Sequence, residues 1–281
     1  MAGKHQVRED PLRFEVWRSW LLPALAATFA ALLCLLLFNR TDRFLTEDSR
    51  FMLRRAELGA LHSPDLRISG IDQAPADQVQ ALFAQDEGRS VFVVPLMERR
   101  SKLLGIRWIR EARVSRIWPN QVHVQVEERV PAAFVHLAGR RGQATRAVLI
   151  DEDGVLLPLQ ERRKYDVPLL TGISEAQGQE ARAQRVRLMK RLLADLAELG
   201  KPLSEIDLTD PTNLKVVYPA QPRAITLILG NRHWRARMEK FLRHYPEIQR
   251  KMPNAIQVDL RLEDRITATE LEPTAPEADG H

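Results

Sequence analysis

The stretch 108–134, WIREARVSRIWPNQVHVQVEERVPAAF, decides the fold of the first folded module of this chain. Val122, Val124 and Val126 alternate with polar residues. Because strand side chains point alternately to the two faces of a sheet, this spacing predicts a strand with one buried face. The dipeptide Pro-Asn just before it predicts a turn, since proline fixes φ at about −65° and asparagine tolerates unusual turn angles. The stretch therefore predicts a β-hairpin whose register is set by its turn.

One more strand and two helices are predicted before the hairpin. Residues 66–71, LRISGI, form a short apolar run ended by a glycine, which is typical of a strand. Segments 75–85 and 96–106 carry apolar residues at helical spacing, and Pro75 suits a first helical turn. Residues 66–130 are therefore predicted to form a β-α-α-β-β module.

Residues 131–268 combine short apolar runs, turns and two amphipathic helices. The first helix is predicted to end at Gly200, and the segment 255–262, AIQVDLRL, predicts a last strand. The apolar helix positions are Val186, Met189, Leu193 and Leu196 in the first helix and Trp234, Met238, Phe241, Leu242 and Tyr245 in the second. This pattern predicts a mixed β-sheet domain with flanking helices, so the fold class is α+β with a single N-terminal transmembrane helix.

The sequence DEDG at 151–154 predicts a hairpin turn between two apolar runs. It has some likeness to a calcium loop. However, Leu156 and Arg162 occupy the positions where such a loop needs glycine and a bidentate glutamate. A calcium site is therefore not predicted.

The segment 20–38, WLLPALAATFAALLCLLLF, predicts a membrane span. Its 19 uncharged residues are long enough to cross roughly 30 Å of hydrocarbon. It ends in LLLFNRTD without small residues for a cleavage site, and leucines precede Cys34 where a lipoprotein needs small residues. We therefore expect an uncleaved anchor with arginines on both sides, which leaves its orientation undecided.

The regions outside the predicted domains have distinct compositions. Residues 1–19 are a short basic tail, and residues 39–65 are a juxtamembrane stalk with a helical segment at 44–61. Residues 269–281 are acidic and contain prolines, as is typical of disorder. A plain connector and a helix lying on the membrane surface are both compatible with the stalk.

Composition and motifs argue against several functional classes. The single cysteine, Cys34, excludes intrachain disulfides and zinc sites built on several cysteines. The net charge of +5 is spread along the 281 residues, which does not favour nucleic-acid binding. No phosphate loop, dinucleotide fingerprint, nucleophile elbow or zinc-protease motif occurs in the sequence, so neither an enzyme nor a cofactor is predicted. The histidines stand singly, and no metal or small-molecule substrate is expected.

The order of these segments resembles the bacterial cell division family FtsQ, called DivIB in Gram-positive bacteria. The segment RISG resembles the first strand of the POTRA module of that family, and residues 107–134 resemble its hairpin and domain junction. VLIDEDGVLLP resembles the opening hairpin of its β domain, and LGNRHWRARMEKFLRHYP with IQVDLR resembles its last helix and strand. The junction residues in this resemblance are Arg116, Trp118, Pro119, Glu128, Arg129 and Pro131.

The resemblance implies a non-enzymatic divisome scaffold in the bacterial inner membrane, with a cytoplasmic N-terminus and periplasmic domains at the septum. It implies recruitment of the coiled-coil partners FtsB and FtsL, and through them FtsW and FtsI. We expect the last strand to be a sheet edge that accepts a partner strand. The expected partner-binding residues are Tyr245, Ile256, Gln257, Val258, Asp259, Leu260, Arg261, Leu262, Glu263 and Asp264.

Some alternatives remain open beside this hypothesis. Arg261 is expected to contact a partner carboxylate, but without the resemblance the residues favour a solvated strand residue. The POTRA module either recruits an upstream protein or only spaces the β domain from the membrane. The chain departs from the family pattern at Arg107, where a proline is common, and after Arg261, where some relatives have an aromatic residue. An envelope transport component with a POTRA module is the alternative function.

Overall fold

The computed structural model describes residues 12–55, 63–138, 145–160, 163–200, 203–221 and 223–270. Its helices are α1 (Leu12–Glu47), α2 (Ala76–Ala81), α3 (Leu96–Leu104), α4 (Gln179–Leu196) and α5 (Trp234–Lys251). The strands up to the first long helix of the second unit are β1 (Leu66–Ser69), β2 (Ile109–Ile117), β3 (Gln121–Glu128), β4 (Pro131–Leu137), β5 (Arg146–Asp151), β6 (Leu156–Leu157) and β7 (Leu169–Thr171). The remaining strands are β8 (Glu205–Asp207), β9 (Lys215–Tyr218), β10 (Ile225–Ile228), β11 (Ala255–Asp259) and β12 (Thr267–Glu270).

Helix α1 contains the predicted membrane span. Its segment Pro23–Glu47 has a mean hydropathy of 1.7 and is long and apolar enough to cross a membrane. The helical stalk predicted for residues 44–61 is wrong for residues 48–55, because the helix ends at Glu47 and a short 3₁₀ turn, Ser49–Phe51, follows. Asp48 explains this end, because its extended backbone leaves the helix and its side chain accepts a hydrogen bond from the Arg50 amide. Residues 56–62 lie outside the described part.

The chain divides into two compact units. The first comprises residues 1–105 and 111–127, and the second comprises residues 106–110 and 128–281. The short segment 106–110, which includes Trp108, therefore belongs with the second unit although it precedes the hairpin in the sequence. Trp108 is buried there and stacks on Tyr165, with ring centroids 6.3 Å apart.

The first unit has the predicted β-α-α-β-β order. Within the described residues it holds a three-stranded sheet, the small sheet, in the order β1-β3-β2. Strand β1 runs parallel to β3, with Leu66 opposite Val122. The three alternating valines of β3 are buried, as their spacing predicted, and Val79 of α2 and Leu103 of α3 join them in the core.

A buried ion pair lies within this first unit. Arg99 of α3 donates two hydrogen bonds to the Asp86 carboxylate, at 2.6 and 2.8 Å. Both side chains are almost fully buried. Because two charges removed from water need each other, removal of either one is expected to destabilise the unit by about 3–5 kcal/mol.

The second unit is built on a larger sheet. Within the described residues this large sheet has nine strands in the order β12-β11-β10-β9-β8-β7-β4-β5-β6. Strands β7 and β8 are parallel with α4 between them, and β10 and β11 are parallel with α5 between them. Each helix is thus the crossover of a β-α-β unit, which parallel neighbours require.

The core of the second unit confirms most of the predicted apolar helix positions. Val186, Met189 and Leu196 of α4 are buried. Leu192 is fully buried instead of Leu193, which is only partly buried. Gly200 follows the helix in the left-handed conformation, with φ of 59°, as its position predicted. In α5 the buried residues are Trp234, Met238 and Phe241, with Leu242 and Tyr245 partly buried.

Candidate partner-binding site

The large sheet ends in two edges of different length and exposure. At one edge, β6 has two residues, and both are buried. At the other edge, β12 has four residues, of which only Ala268 is partly buried. In the described part of the chain, β12 pairs with β11 alone, so the backbone groups on its other side face away from the sheet.

A groove runs beside β12 along helix α5. Its volume is ≈ 310 Å³, and Ile248, Ile266 and Ala268 contribute apolar surface to it. Charged and polar side chains line the rest: Lys240, His244, Glu247, Lys251, Asp264 and Arg265. The groove therefore offers an apolar floor beside backbone groups that pair with no strand in the described part of the chain. An added strand uses this combination.

Lys240 fixes the connection between β11 and β12 on α5. Its ammonium group donates to the backbone carbonyls of Leu262, Glu263 and Arg265, at 3.1, 2.8 and 3.3 Å. Arg237, one turn earlier, donates to the Arg261 carbonyl at 3.0 Å. Because one helix holds this connection at several carbonyls, the groove is a formed feature of the unit.

Helix α5 gives the site a basic character. Its sequence, WRARMEKFLRHYPEIQRK, carries six lysines and arginines against two glutamates. Lys251 forms an ion pair of 2.7 Å with Glu247 and lowers the pKa of that carboxyl group. The excess of positive charge favours a ligand or partner that carries carboxylates.

Arg261 already has an intramolecular partner. Its guanidinium binds the Asp259 carboxylate at 2.7–3.1 Å, and this hydrogen bonding lowers the pKa of Asp259 although burial opposes the shift. The Arg261 side chain is 48% exposed. A partner carboxylate would therefore join or replace Asp259 at an accessible guanidinium, rather than meet an unpaired charge.

The expectation that residues 256–264 form an edge strand is wrong. Strand β11 ends at Asp259 and is paired on both sides, parallel to β10 and antiparallel to β12. Its backbone groups are therefore used within the sheet, and no partner strand can add there. The predicted positions in or directly after β11 are Ile256, Gln257, Val258, Asp259 and Leu260, of which Val258 and Leu260 are buried.

The remaining predicted partner contacts differ in accessibility. Leu262, Glu263 and Asp264 are exposed in the connection between β11 and β12, beside the groove. Tyr245 instead packs against Tyr218 and Phe241 with ring centroids 5.8 and 5.3 Å apart, and burial raises the pKa of its hydroxyl. The structure thus brings the exposed three residues to the site and turns the Tyr245 ring towards the core.

Sequence reasoning missed the strand that forms the edge. Residues 269–281 were predicted to be a disordered tail, but Thr269 and Glu270 belong to β12, where Thr269 lies opposite Gln257. Residues 271–281 lie outside the described part. The signal was weak: Ile266 and Ala268 alternate with two threonines over only a few residues.

The predicted junction residues of the first unit have structural partners. Arg116 donates to the carbonyls of Val91, Phe92 and Val94, at 2.7–3.0 Å. Trp118 packs edge-on against Phe51, with centroids 5.6 Å apart. Its peptide bond to Pro119 is cis.

The predicted junction residues of the second unit surround the DEDG turn. Arg129 donates to the carboxylates of Asp151 and Asp153, at 2.6 and 3.0 Å. Pro131 begins β4 opposite Asp151, and Glu128 ends β3. The predicted hairpin turn at 151–154 is confirmed, because β5 and β6 pair in antiparallel fashion across it. The carboxylates of this turn form ion pairs with arginine and lysine side chains of the second unit.

The two units match two family models. Residues 63–129 match the model "POTRA domain, FtsQ-type". Residues 140–261 match the model "Cell division protein FtsQ/DivIB, C-terminal". The second match ends at Arg261, so strand β12 follows the matched residues.

Several curated bacterial proteins are similar to this chain, each under the name cell division protein FtsQ. The protein of Koribacter versatilis is 29% identical over 226 residues, which cover 76% of this chain and 63% of that protein. The protein of Alcanivorax borkumensis is 26% identical over 67% of each chain. The protein of Salinibacter ruber is 30% identical over 47% of this chain and 51% of its own length.

Proposed function

Because this chain belongs to the FtsQ/DivIB family of bacterial cell division proteins, we propose that it is a non-enzymatic scaffold of the divisome. Helix α1 anchors it in the inner membrane, with the N-terminus in the cytoplasm and both folded units in the periplasm at the septum. Its partners are the periplasmic segments of FtsB and FtsL, which connect it to the septal synthase FtsW and FtsI.

One observation carries this proposal: the exposed edge strand β12 lies beside a groove on a basic helix. An extended partner segment adds to β12 and pairs with its free backbone groups. Apolar side chains on one face of that segment fill the groove between α5 and β12. Alternate positions of the partner thereby decide which segment binds, whereas the backbone pairing supplies affinity.

Charge selects the partner at the rim of the groove. Acidic side chains of the added segment meet Lys251 and the other cations of α5, and a carboxylate reaches the exposed guanidinium of Arg261. Because rim charges are solvated, they change the rate of association more than the final affinity.

A binding experiment with a matched pair of variants tests the proposal. The full chain in lipid nanodiscs is mixed with the periplasmic segments of FtsB and FtsL, and association is followed with time. Lys251→Glu reverses a charge at the groove. Lys190→Glu reverses a lysine of similar exposure on α4, which is also paired to a glutamate.

We expect slower association for Lys251→Glu, with a weaker dependence on salt, and unchanged association for Lys190→Glu. Equal effects of the two substitutions would place the partner elsewhere on the molecule. No binding by the unsubstituted chain would contradict the scaffold role with these partners.

A further inference from the structure

The first unit exposes large apolar side chains at one end. Phe92, Val93, Met97, Ile117 and Trp118 form what we call the apolar patch, and Met97 is 75% exposed. The hydrogen bonds of Arg116 to the carbonyls of residues 91, 92 and 94 hold this loop against the end of β2, so the loop and the hairpin turn form one surface. Large apolar surfaces of this kind mark sites of contact with a protein or a membrane.

The apolar patch lies where helix α1 meets the unit. The Ser90 hydroxyl donates to the Leu45 carbonyl of α1 at 2.6 Å, and the Val91 amide donates to the Phe51 carbonyl at 2.8 Å. Phe51 packs edge-on against both Phe44 of α1 and Trp118 of the patch, with centroids 5.5 and 5.6 Å apart. Three aromatic rings thus connect the helix to the patch.

The length of the helix places this contact close to the bilayer surface. At a rise of about 1.5 Å per residue, Phe44 lies roughly 9 Å beyond Phe38, the last residue of the apolar run. The polar headgroup layer occupies roughly 5–8 Å on each side of the hydrocarbon. Tryptophan and other amphipathic aromatic residues prefer this interfacial layer.

The opposite end of the small sheet exposes polar and charged side chains instead of apolar ones. Glu111, Arg113, Gln125 and Glu127 are exposed there. Gln125 lies roughly 13 Å along β3 from the hairpin turn. In the described part of the first unit outside α1, every exposed large apolar side chain other than Leu104 at the end of α3 lies at the end beside the membrane helix. This distribution favours lipid over a protein partner approaching from the periplasm.

We propose that the apolar patch of the first unit docks on the phospholipid bilayer that α1 crosses, with Phe92, Val93 and Trp118 immersed in the interfacial layer. The unit is then held against the membrane at a fixed orientation instead of moving freely at the end of its tether. This inference needs α1 to span the membrane but does not depend on which protein binds β12.

Spin labels at single cysteines in the full chain test this proposal in vesicles of phosphatidylethanolamine and phosphatidylglycerol. The native Cys34 reports on the span. Val93→Cys and Gln125→Cys, each in a Cys34→Ser background, report on the two ends of the first unit. Collision of each label with oxygen and with a water-soluble nickel chelate gives its depth.

We expect the Val93 label within the polar headgroup layer and the Gln125 label in water. Met97→Glu, at an exposed position that leaves the core intact, should move the Val93 label towards water. A water-exposed Val93 label beside a buried Cys34 label would overturn the proposal and leave the apolar patch to a protein partner. A water-exposed Cys34 label would overturn it together with the membrane anchor.

Discussion

The two edges of the large sheet differ in how much of their backbone is available for pairing with another chain. Strand β6 ends the sheet with two buried leucines, so little of its backbone is available to another chain. Strand β12 ends the sheet with four residues, mostly exposed, beside a groove with an apolar floor. Because natural proteins usually shorten or cover their edges, the open edge indicates a place where pairing with another chain is useful. We therefore propose that the short edge serves stability and that the long edge serves recognition.

Substitution of the short edge is expected to have the largest effect on stability. Leu157→Ala removes a fully buried side chain and should lower the free energy of unfolding by about 2–5 kcal/mol. Denaturant unfolding measures this loss. The affinity of the folded protein for FtsB and FtsL should stay unchanged, and a parallel loss of affinity would contradict the assignment of separate roles to the two edges.

Proline substitutions in β12 are expected to separate pairing within the sheet from pairing with a partner. Ala268→Pro and Thr269→Pro remove amides that point to opposite sides of the strand. One variant should lose a hydrogen bond to β11 and about 1 kcal/mol of stability. The other should keep its stability and lose at least tenfold in partner affinity, about 1.4 kcal/mol. Unchanged affinity in both variants would argue against strand addition.

Replacement of Arg261 is expected to have the smallest effect on stability. Because its pair with Asp259 is half exposed, Arg261→Ala should cost less than about 1 kcal/mol. The folded-state pKa of Asp259 lies below its ordinary value of 3.8, so the pair stabilises the protein above that pH and this contribution is lost as the pH falls below it. Unfolding measured across this pH range should therefore show a weaker acid dependence in the variant. An identical acid dependence in both proteins would contradict this account of the pair.

The first unit could be predicted from the sequence because its signals are local. The alternating valines of β3, the Pro-Asn turn and the two helical segments each specify an element within a few residues. The buried faces of α4 and α5 followed from helical periodicity in the same way, apart from the exchange of Leu193 for Leu192.

The candidate site could not be predicted to the same extent, because strand order depends on distant pairing. Strands β7 and β8 have three residues each and are defined by their parallel neighbours, not by a period of their own. Strand β11 was identified from its apolar residues, but its interior position depends on β12, which has few apolar residues. Because residues 269–281 are acidic and contain prolines, their composition predicted disorder and did not indicate that last strand.

Hydrogen exchange at the two edges measures the central claim most directly. The full chain in nanodiscs is compared with and without the periplasmic segments of FtsB and FtsL. Strand addition to β12 predicts that amides within Thr267–Glu270 gain protection on binding, whereas those of Leu156–Leu157 do not change. Binding that protects the exposed connection at 261–264 but leaves β12 unchanged would contradict the claim that this edge accepts a partner strand.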